Sequence, residues 1–304
     1  MRVLAMAAIR TNELRGTLRQ DEPMARHTSW RAGGSAKVFY QPADIDDLIV
    51  FLHSLSADEL LYWVGLGSNL LVRDGGLNGT VIATSNLNRL DFLENHQVRA
   101  EVGVASPKLA RETAKRDLSG MEFLCGIPGT VGGALALNAG ALGSEMWQRV
   151  VSVETINRQG QLQHRPPADY QISYRHVEGP AEEWFVAATL QTEPGESSAS
   201  LDLIKRYLAR RSATQPTQLP NAGSVFRNPP DDYAARLIEA CGLKNTCVGG
   251  ACVSEKHANF IINTGTATAG DIEALIERVA NTVKREHGIA LVREVHIVGE
   301  GKDD

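Results

Sequence analysis

Gly126-Ile127-Pro128-Gly129-Thr130-Val131-Gly132-Gly133-Ala134-Leu135-Ala136-Leu137-Asn138-Ala139-Gly140-Ala141 is the stretch on which the reading of this chain turns. Few ordinary loops are this long and this small. It contains no Gly-Lys-Ser or Gly-Lys-Thr, so it cannot cradle nucleotide phosphates as a P-loop does with its lysine. A run that is both apolar and nearly free of side chains suits a flat ring and its extended tail lying against backbone; close helix packing through glycine is the plainer explanation. Upstream, Gly65-Leu66-Gly67-Ser68-Asn69 follows the apolar run 61–64 and makes a tight turn at a strand end, where backbone N–H groups can converge on a pyrophosphate. This is not a Rossmann fingerprint. Leu70 takes the place of the third glycine, and Leu70-Leu71-Val72 reads as strand rather than helix. Two such segments on either side of an α+β unit suggest one large dinucleotide held between two units, and FAD is the natural candidate.

The composition is compatible with that reading and excludes others. A chain of 304 residues, 43% hydrophobic, can bury two or three modest cores. Its 31 basic and 36 acidic residues give a net charge of −5, without the basic excess that a nucleic-acid partner requires. No apolar stretch approaches the roughly 20 residues of a membrane span, and the opening residues 1–9 are too short for a signal peptide, so a cytoplasmic protein with no membrane partner is expected. Cys125, Cys241, Cys247 and Cys252 form no CxxC pair and have no histidine at zinc-ligand spacing. They read as ordinary reduced thiols, and no metal site is expected.

Residues 1–24 read as a lead-in. A first α+β unit, 25–90, has strands at 38–40, 61–64 and 80–84 and a helix at 44–55. A second, 91–196, has strands at 98–104, 150–156 and 184–190, with Ser106 before Pro107 capping a helix that reaches 116. Residues 193–198 have linker composition, so 197–304 form a separate C-terminal α+β domain with helices at 201–211 and 233–241. Thr268 and Asp271 resemble a capping box opening a helix with Ile272, Leu275, Ile276, Val279 and Val283 on one face, and Gly288 stops it. A final strand is expected at 290–298.

The chain resembles the UDP-N-acetylenolpyruvoylglucosamine reductase family over nearly its whole length. The resemblance is carried by His27-Thr28-Ser29-Trp30 with Gly33-Gly34, Gly65 through Leu70, the 126–141 stretch, Tyr174-Arg175, Gly223-Ser224-Val225-Phe226-Arg227-Asn228-Pro229, Leu237-Ile238-Glu239, Gly242-Leu243-Lys244, 254–263 and Glu294-Val295. No single piece is specific; their joint order is. The resemblance implies an α+β fold: a two-unit FAD-binding fold of the vanillyl-alcohol-oxidase (PCMH) type plus a C-terminal substrate domain. It also implies FAD held non-covalently, NADPH as hydride donor, and reduction of UDP-N-acetylglucosamine enolpyruvate by a monomeric enzyme of peptidoglycan synthesis. Gly65, Gly67, Ser68, Asn69, Leu70, Ile127, Pro128, Gly129, Gly132, Gly133, Asn138, Ala139 and Gly140 would then line the flavin, and Tyr174, Arg227, Asn228 and His296 the substrate. Only eight residues separate Arg175 from Trp184, which marks the shorter subclass without a substrate-capping insertion. The departures are His296 where arginine is usual, Arg227 for lysine, Val177 for serine and Asn245 for glycine.

By the same likeness Arg175, Ser224 and Glu294 take the three catalytic positions, and their chemistry fits. Reducing an enolpyruvyl ether needs a hydride at the terminal carbon, stabilisation of the resulting enolate and a proton at the adjacent carbon. A guanidinium clamps a carboxylate and favours the added charge. A positioned hydroxyl suffices as proton donor to a carbanion-like carbon. Strand alternation puts Glu294 on one face with Val292, His296 and Val298, where its carboxyl is partly desolvated. His296, near an unperturbed pKa of about 6.5, would anchor an anionic part of the substrate and lose that charge between roughly pH 6 and 8. Outside the family context Arg175 reads as a surface salt bridge, Ser224 as a local turn hydrogen-bonder and Glu294 as a partnered strand-edge carboxylate. Another flavin oxidoreductase of the same fold, acting on a small alcohol or hydroxy acid, would share only the glycine segments.

Overall fold

The structure is a computed structural model that describes residues 14–302; the opening residues 1–9 lie outside the described residues. β1 (Thr17–Pro23) and β2 (Ser35–Gln41) lead into α1 (Ile45–His53), where the Asp44 carboxylate accepts from the Asp47 N–H at 2.9 Å and satisfies one of the orphan donors of the first turn. β3 (Leu61–Val64), β4 (Leu70–Val72) and β5 (Leu77–Ala83) follow, and β3 runs parallel to β5 from Leu61 opposite Thr80 to Val64 opposite Ala83. The four-stranded sheet has the order β1-β2-β5-β3.

Next come β6 (Leu90–Phe92), β7 (Gln97–Glu101), α2 (Ser106–Ala114), β8 (Leu118–Ser119) and α3 (Val131–Ala136). A small hairpin, β9 (Gly140–Ala141) with β10 (Ser144–Glu145), precedes β11 (Val150–Asn157) and β12 (Leu162–Arg165). A second hairpin, β13 (Gln171–Ser173) with β14 (His176–Glu178), precedes β15 (Glu183–Gln191). β12-β11-β15-β7-β6 form an antiparallel sheet. The remainder is β16 (Glu193–Pro194), α4 (Ser197–Thr214), α5 (Ala234–Ala240), β17 (Cys247–Val248), β18 (Ala251–Val253), β19 (Ile261–Asn263), α6 (Ala269–His287) and β20 (His296–Val298).

Contacts divide the chain into two compact units that are not contiguous in sequence. One takes residues 14–20, 38–65 and 79–205; the other takes 21–37, 66–78 and 206–302. In the second unit α6 buries Ile272, Leu275, Ile276, Val279 and Val283 against Trp30, Leu71, Phe226 and Leu237. Trp30 is fully buried, and its indole N–H is satisfied by the Ile261 carbonyl at 2.8 Å while Asn263 donates to the Trp30 carbonyl at 2.8 Å. Truncating so large a buried side chain costs about 3–5 kcal/mol. The Thr268–Asp271 capping box is present, and the Asp74 carboxylate adds two more acceptors, taking the N–H groups of Ala269 and Gly270. An anion at the positive end of a 19-residue helix is favourable. Gly288 ends α6 in the left-handed conformation, φ 71°.

Several expectations are corrected. Ser106 is the first helical residue rather than the cap; Ala105 takes the cap position, and the buried Ser106 hydroxyl has no partner. The polar stretch at 193–198 is not a free linker: Glu193–Pro194 pair with Leu118–Ser119, α4 begins at Ser197, and the division between units falls inside that helix, after Lys205. Only 296–298 of the expected final strand is regular, in parallel with β4, because the chain from Val292 to Glu294 is pulled into hydrogen bonds with Arg227 and Val225. The 126–141 stretch is not a continuous loop, since its middle is α3. The cysteines are not all reduced: Cys247 and Cys252 stand directly opposite each other across β17 and β18 and are joined by a disulfide. Spacing alone hid this, because a five-residue separation becomes a cross-strand pair only once the turn at Gly249, φ 51°, is known. Asn245, standing where the family favours glycine, has φ 61°, a conformation asparagine tolerates better than most residues. Thiol titration of the denatured, unreduced protein should therefore find two reactive groups, Cys125 and Cys241, and four after reduction. Four before reduction would refute the bridge.

Candidate cofactor and substrate site

A cavity of about 300 Å³ in the first unit has one wall made from both glycine segments, with Gly65, Thr130, Gly132, Gly133 and Ala136. Its lining also includes four aromatic residues, Trp63, Tyr170, Trp184 and Phe185. Trp63 and Trp184 stack at 5.1 Å between ring centroids. The glycine stretch is held in place by its own backbone: Gly129 accepts from the Ser106 N–H, and the N–H groups of Val131 and Gly132 donate to the carbonyls of Val104 and Val102. That pinning decides which glycines face the cavity. A Cβ on Gly132 would lie 2.9 Å from Val102, and one on Gly65 would lie 2.6 Å from the Thr130 hydroxyl, whereas one on Gly133 would meet nothing within 4 Å.

Two further observations bear on whether a planar cofactor suits this cavity. The indole N–H of Trp63 and the hydroxyl of Tyr170 are both buried, and neither has a hydrogen-bond partner. A buried unpaired donor costs roughly 1–3 kcal/mol. Both residues contribute other atoms to the lining of this cavity. Aromatic and small lining residues and a glycine with nothing opposite its open side fit the flat ring of a flavin dinucleotide.

Other residues expected at the cofactor have different surroundings. Gly67 is glycine because the chain at 27–28 passes so close that a Cβ would strike the His27 carbonyl oxygen. The Asn69 side chain donates to the Glu294 carbonyl at 3.0 Å, Leu70 pairs with His296 in the parallel ladder, and the Ile127 N–H closes a 3₁₀ turn on Leu124. Pro128 is exposed, and neither it nor Ser68, Ala139 nor Gly140 lines the cavity. Asn138 is 1% exposed, and its amide is wholly engaged by the protein. It donates to Glu145 at 2.8 Å and to the Ser173 carbonyl at 3.2 Å and accepts from the Trp147 N–H. The aromatic wall was missed by sequence reading; Trp63 and Trp184 were read only as strand residues.

Arg175 sits at the tip of the β13–β14 hairpin with φ 56°, an uncommon conformation for a non-glycine residue. Its guanidinium donates to the carbonyls of Asn138 at 3.3 Å and Gly140 at 2.8 Å and lies 5.0 Å from the Tyr174 ring centroid. The end of the glycine stretch thus holds the arginine. In the second unit Ser224 is in the turn after Gly223, φ 77°. The buried Asn259 frames that turn: its backbone carbonyl accepts from the Val225 N–H, and its side chain both accepts from and donates to the Phe226 backbone. The Glu294 N–H donates to the Val225 carbonyl at 2.8 Å, so Ser224 and Glu294 lie on adjacent segments. Glu294 is half-buried but precedes the regular strand. Asn228 caps α5, accepting from the Ala234 N–H at 3.1 Å. The Arg227 Nε is buried and without a hydrogen-bond partner.

This arrangement defines a flavoprotein of the vanillyl-alcohol-oxidase (PCMH) type, and residues 36–165 match the profile of an FAD binding domain. Residues 215–298 match the C-terminal domain of UDP-N-acetylenolpyruvoylglucosamine reductase. Relatives of that name are 59% identical over 94% of this chain and 96% of the protein in Alkalilimnicola ehrlichii, and 56% identical over 99% and 100% in Methylococcus capsulatus. The crystal structure of the reductase from Thermus caldophilus superposes with a TM-score of 0.80 at 29% identity, covering 93% of this chain and 99% of that one. A berberine bridge enzyme variant, 16% identical with a TM-score of 0.50 over 62% of this chain and 43% of its own, shares the fold alone. The chain belongs to the UDP-N-acetylenolpyruvoylglucosamine reductase family.

Two tests follow from this geometry. Gly133→Leu should fill the cavity without disturbing the core, weakening FAD binding by about 10-fold or more while leaving the apoprotein at least as stable, since leucine is the better helix former. Flavin titration with a parallel melt decides it; undiminished affinity would place the cofactor elsewhere. For His296, desolvation and then the positive charge of Arg227 hold the ring below its ordinary pKa, even though part of the residue reaches solvent. This favours the neutral ring in the substrate-free protein and moves any proton-linked anchoring toward lower pH than the expected range of 6 to 8. Any dependence of substrate KM on its protonation should fall below about pH 6.5, with KM flat from 7 to 8. A KM that rises between pH 7 and 8, and stops rising in His296→Arg, would contradict this.

Proposed function

We propose that this protein reduces the enolpyruvyl ether of UDP-N-acetylglucosamine enolpyruvate to UDP-N-acetylmuramate in peptidoglycan precursor synthesis, with NADPH as the hydride donor, acting as a cytoplasmic monomer. The observation that carries the reading at the residue level is the hydrogen bond from the Glu294 N–H to the Val225 carbonyl, which sets a serine turn beside a half-buried carboxylate. FAD, when bound, supplies hydride transfer. Arg175, tethered by two main-chain carbonyls, is pre-oriented to hold the substrate carboxylate and to favour its added charge once the terminal carbon has received hydride. Ser224 gives its hydroxyl proton to the adjacent carbon, and the Asn259 clamp keeps that turn from drifting. Glu294 orients the donor. Arg227 and Tyr174 contribute to substrate binding, while Asn228 acts through the α5 cap.

The two half-reactions separate these roles. Flavin reduction by NADPH precedes any need for the proton, so Ser224→Ala should leave FAD content and the reductive half near wild type. Reoxidation by the enolpyruvyl sugar should fall by roughly 10²- to 10⁴-fold, and Ser224→Cys should recover part of it. Stopped-flow absorbance follows both halves; equal slowing of the two would mean that the serine shapes the flavin site instead.

A further inference from the structure

The arginine hairpin carries an inference that deepens the reading of Arg175 given above and rests on it. A guanidinium anchored on main-chain carbonyls is placed only as well as those carbonyls and its own backbone are. β13 and β14 form a two-stranded sheet of three residue pairs, and residues 171–174, 176 and 178 are exposed. An isolated two-stranded hairpin is marginal in water, so its tip needs bonds to the body of the unit. Asn138 supplies them from both its main chain and its side chain. Its carbonyl accepts from Arg175 Nη1 at 3.3 Å, and its amide N–H donates to the Ser173 carbonyl at 3.2 Å, two residues before the arginine.

The side-chain amide has no donor left for a ligand. It is 1% exposed, its two N–H groups are spent on Glu145 at 2.8 Å and on Ser173, and its oxygen accepts from the Trp147 N–H at 3.2 Å. The groups that hold it are held in turn: Glu145 forms a capping box with Gln148, and the Trp147 indole donates to the Leu135 carbonyl at 2.8 Å. The backbone at Asn138 is left-handed, φ 41°, which asparagine tolerates better than most residues. We infer that Asn138 is a positioning residue for Arg175, fixing the arginine hairpin against the end of the glycine stretch rather than contacting the cofactor. Its effect on the reaction passes through the guanidinium, at the step in which the substrate carboxylate gains charge.

The test uses the full-length protein with Asn138→Asp, and with the exchanged pair Asn138→Asp plus Glu145→Gln. The first substitution keeps the side-chain shape, the left-handed backbone and the acceptor for Trp147, but it donates to neither Glu145 nor Ser173. The second lets position 145 donate back to position 138, so the exchanged pair should melt close to wild type while the Ser173 carbonyl still lacks its donor. Both variants should bind FAD and be reduced by NADPH as wild type is, and reoxidation by the enolpyruvyl sugar should be roughly 10- to 100-fold slower. In an Arg175→Ala background the same substitutions should cost less than about 3-fold, because a residue acting through the arginine has nothing left to act on. Wild-type reoxidation in both variants, a loss that persists in full without Arg175, or FAD binding weakened by about 10-fold or more would each overturn the assignment. So would an exchanged pair that does not fold, since Asn138 would then be structural. An Arg175→Ala protein that itself reoxidises at the wild-type rate would instead remove the reading on which the inference rests.

Discussion

The side chain of Asn138 is the point on which the first unit's site depends. It is buried at the end of the glycine stretch and holds three things at once: the Glu145 carboxylate, the Ser173 carbonyl beside the tip of the arginine hairpin, and the Trp147 N–H. A buried amide is costly unless its hydrogen-bonding capacity is met, and a network in which every member is satisfied fixes one geometry rather than several. The carbonyls of Asn138 and Gly140 then take the guanidinium of Arg175. A left-handed φ at both Asn138 (41°) and Arg175 (56°) is the backbone cost of this closure.

The second unit solves the same problem with a second buried asparagine. Asn259 closes a ring of hydrogen bonds on the Phe226 backbone and receives the Val225 N–H, so a turn without regular structure is as well determined as a strand. The segment 292–295 gives up its ladder to join that turn and to accept Asn69 at the Glu294 carbonyl. Ser224 and Glu294 are thereby carried on irregular backbone whose neighbouring polar groups are nonetheless paired. That is how a loop can hold a side chain in one position as closely as a strand does.

This also explains what could be read from the sequence and what could not. Local signals were legible: the Thr268 capping box, Gly288 at the helix end, the Leu70-Leu71-Val72 strand and the helix after Asp44 all stand where their chemistry put them. Signals that depend on distant partners were not. Nothing near Asp74 announces that its carboxylate caps a helix 195 residues away, and nothing in the alternation at 290–298 reveals that Val225 and Arg227 capture half of it. The aromatic wall was invisible for the same reason, since Trp63 and Trp184 meet only when two sheets bring their strands together. Arg175, Ser224 and Glu294 were named through resemblance, not spacing.

The glycines sharpen the point. Glycine-rich segments read as ligand cradles, yet part of their openness is consumed within the protein. Gly67 makes room for the chain at 27–28, Gly132 makes room for Val102, and Gly140 makes room for Ser144 and Glu145. Smallness in these positions serves close backbone approach between protein segments, which is what lets the stretch lie flat on 102–106. Only after that packing is complete does one glycine of α3, Gly133, remain with nothing opposite it. The compositional signature of a cofactor loop is therefore in part a signature of self-packing, and the cavity lies where Gly133 is left open.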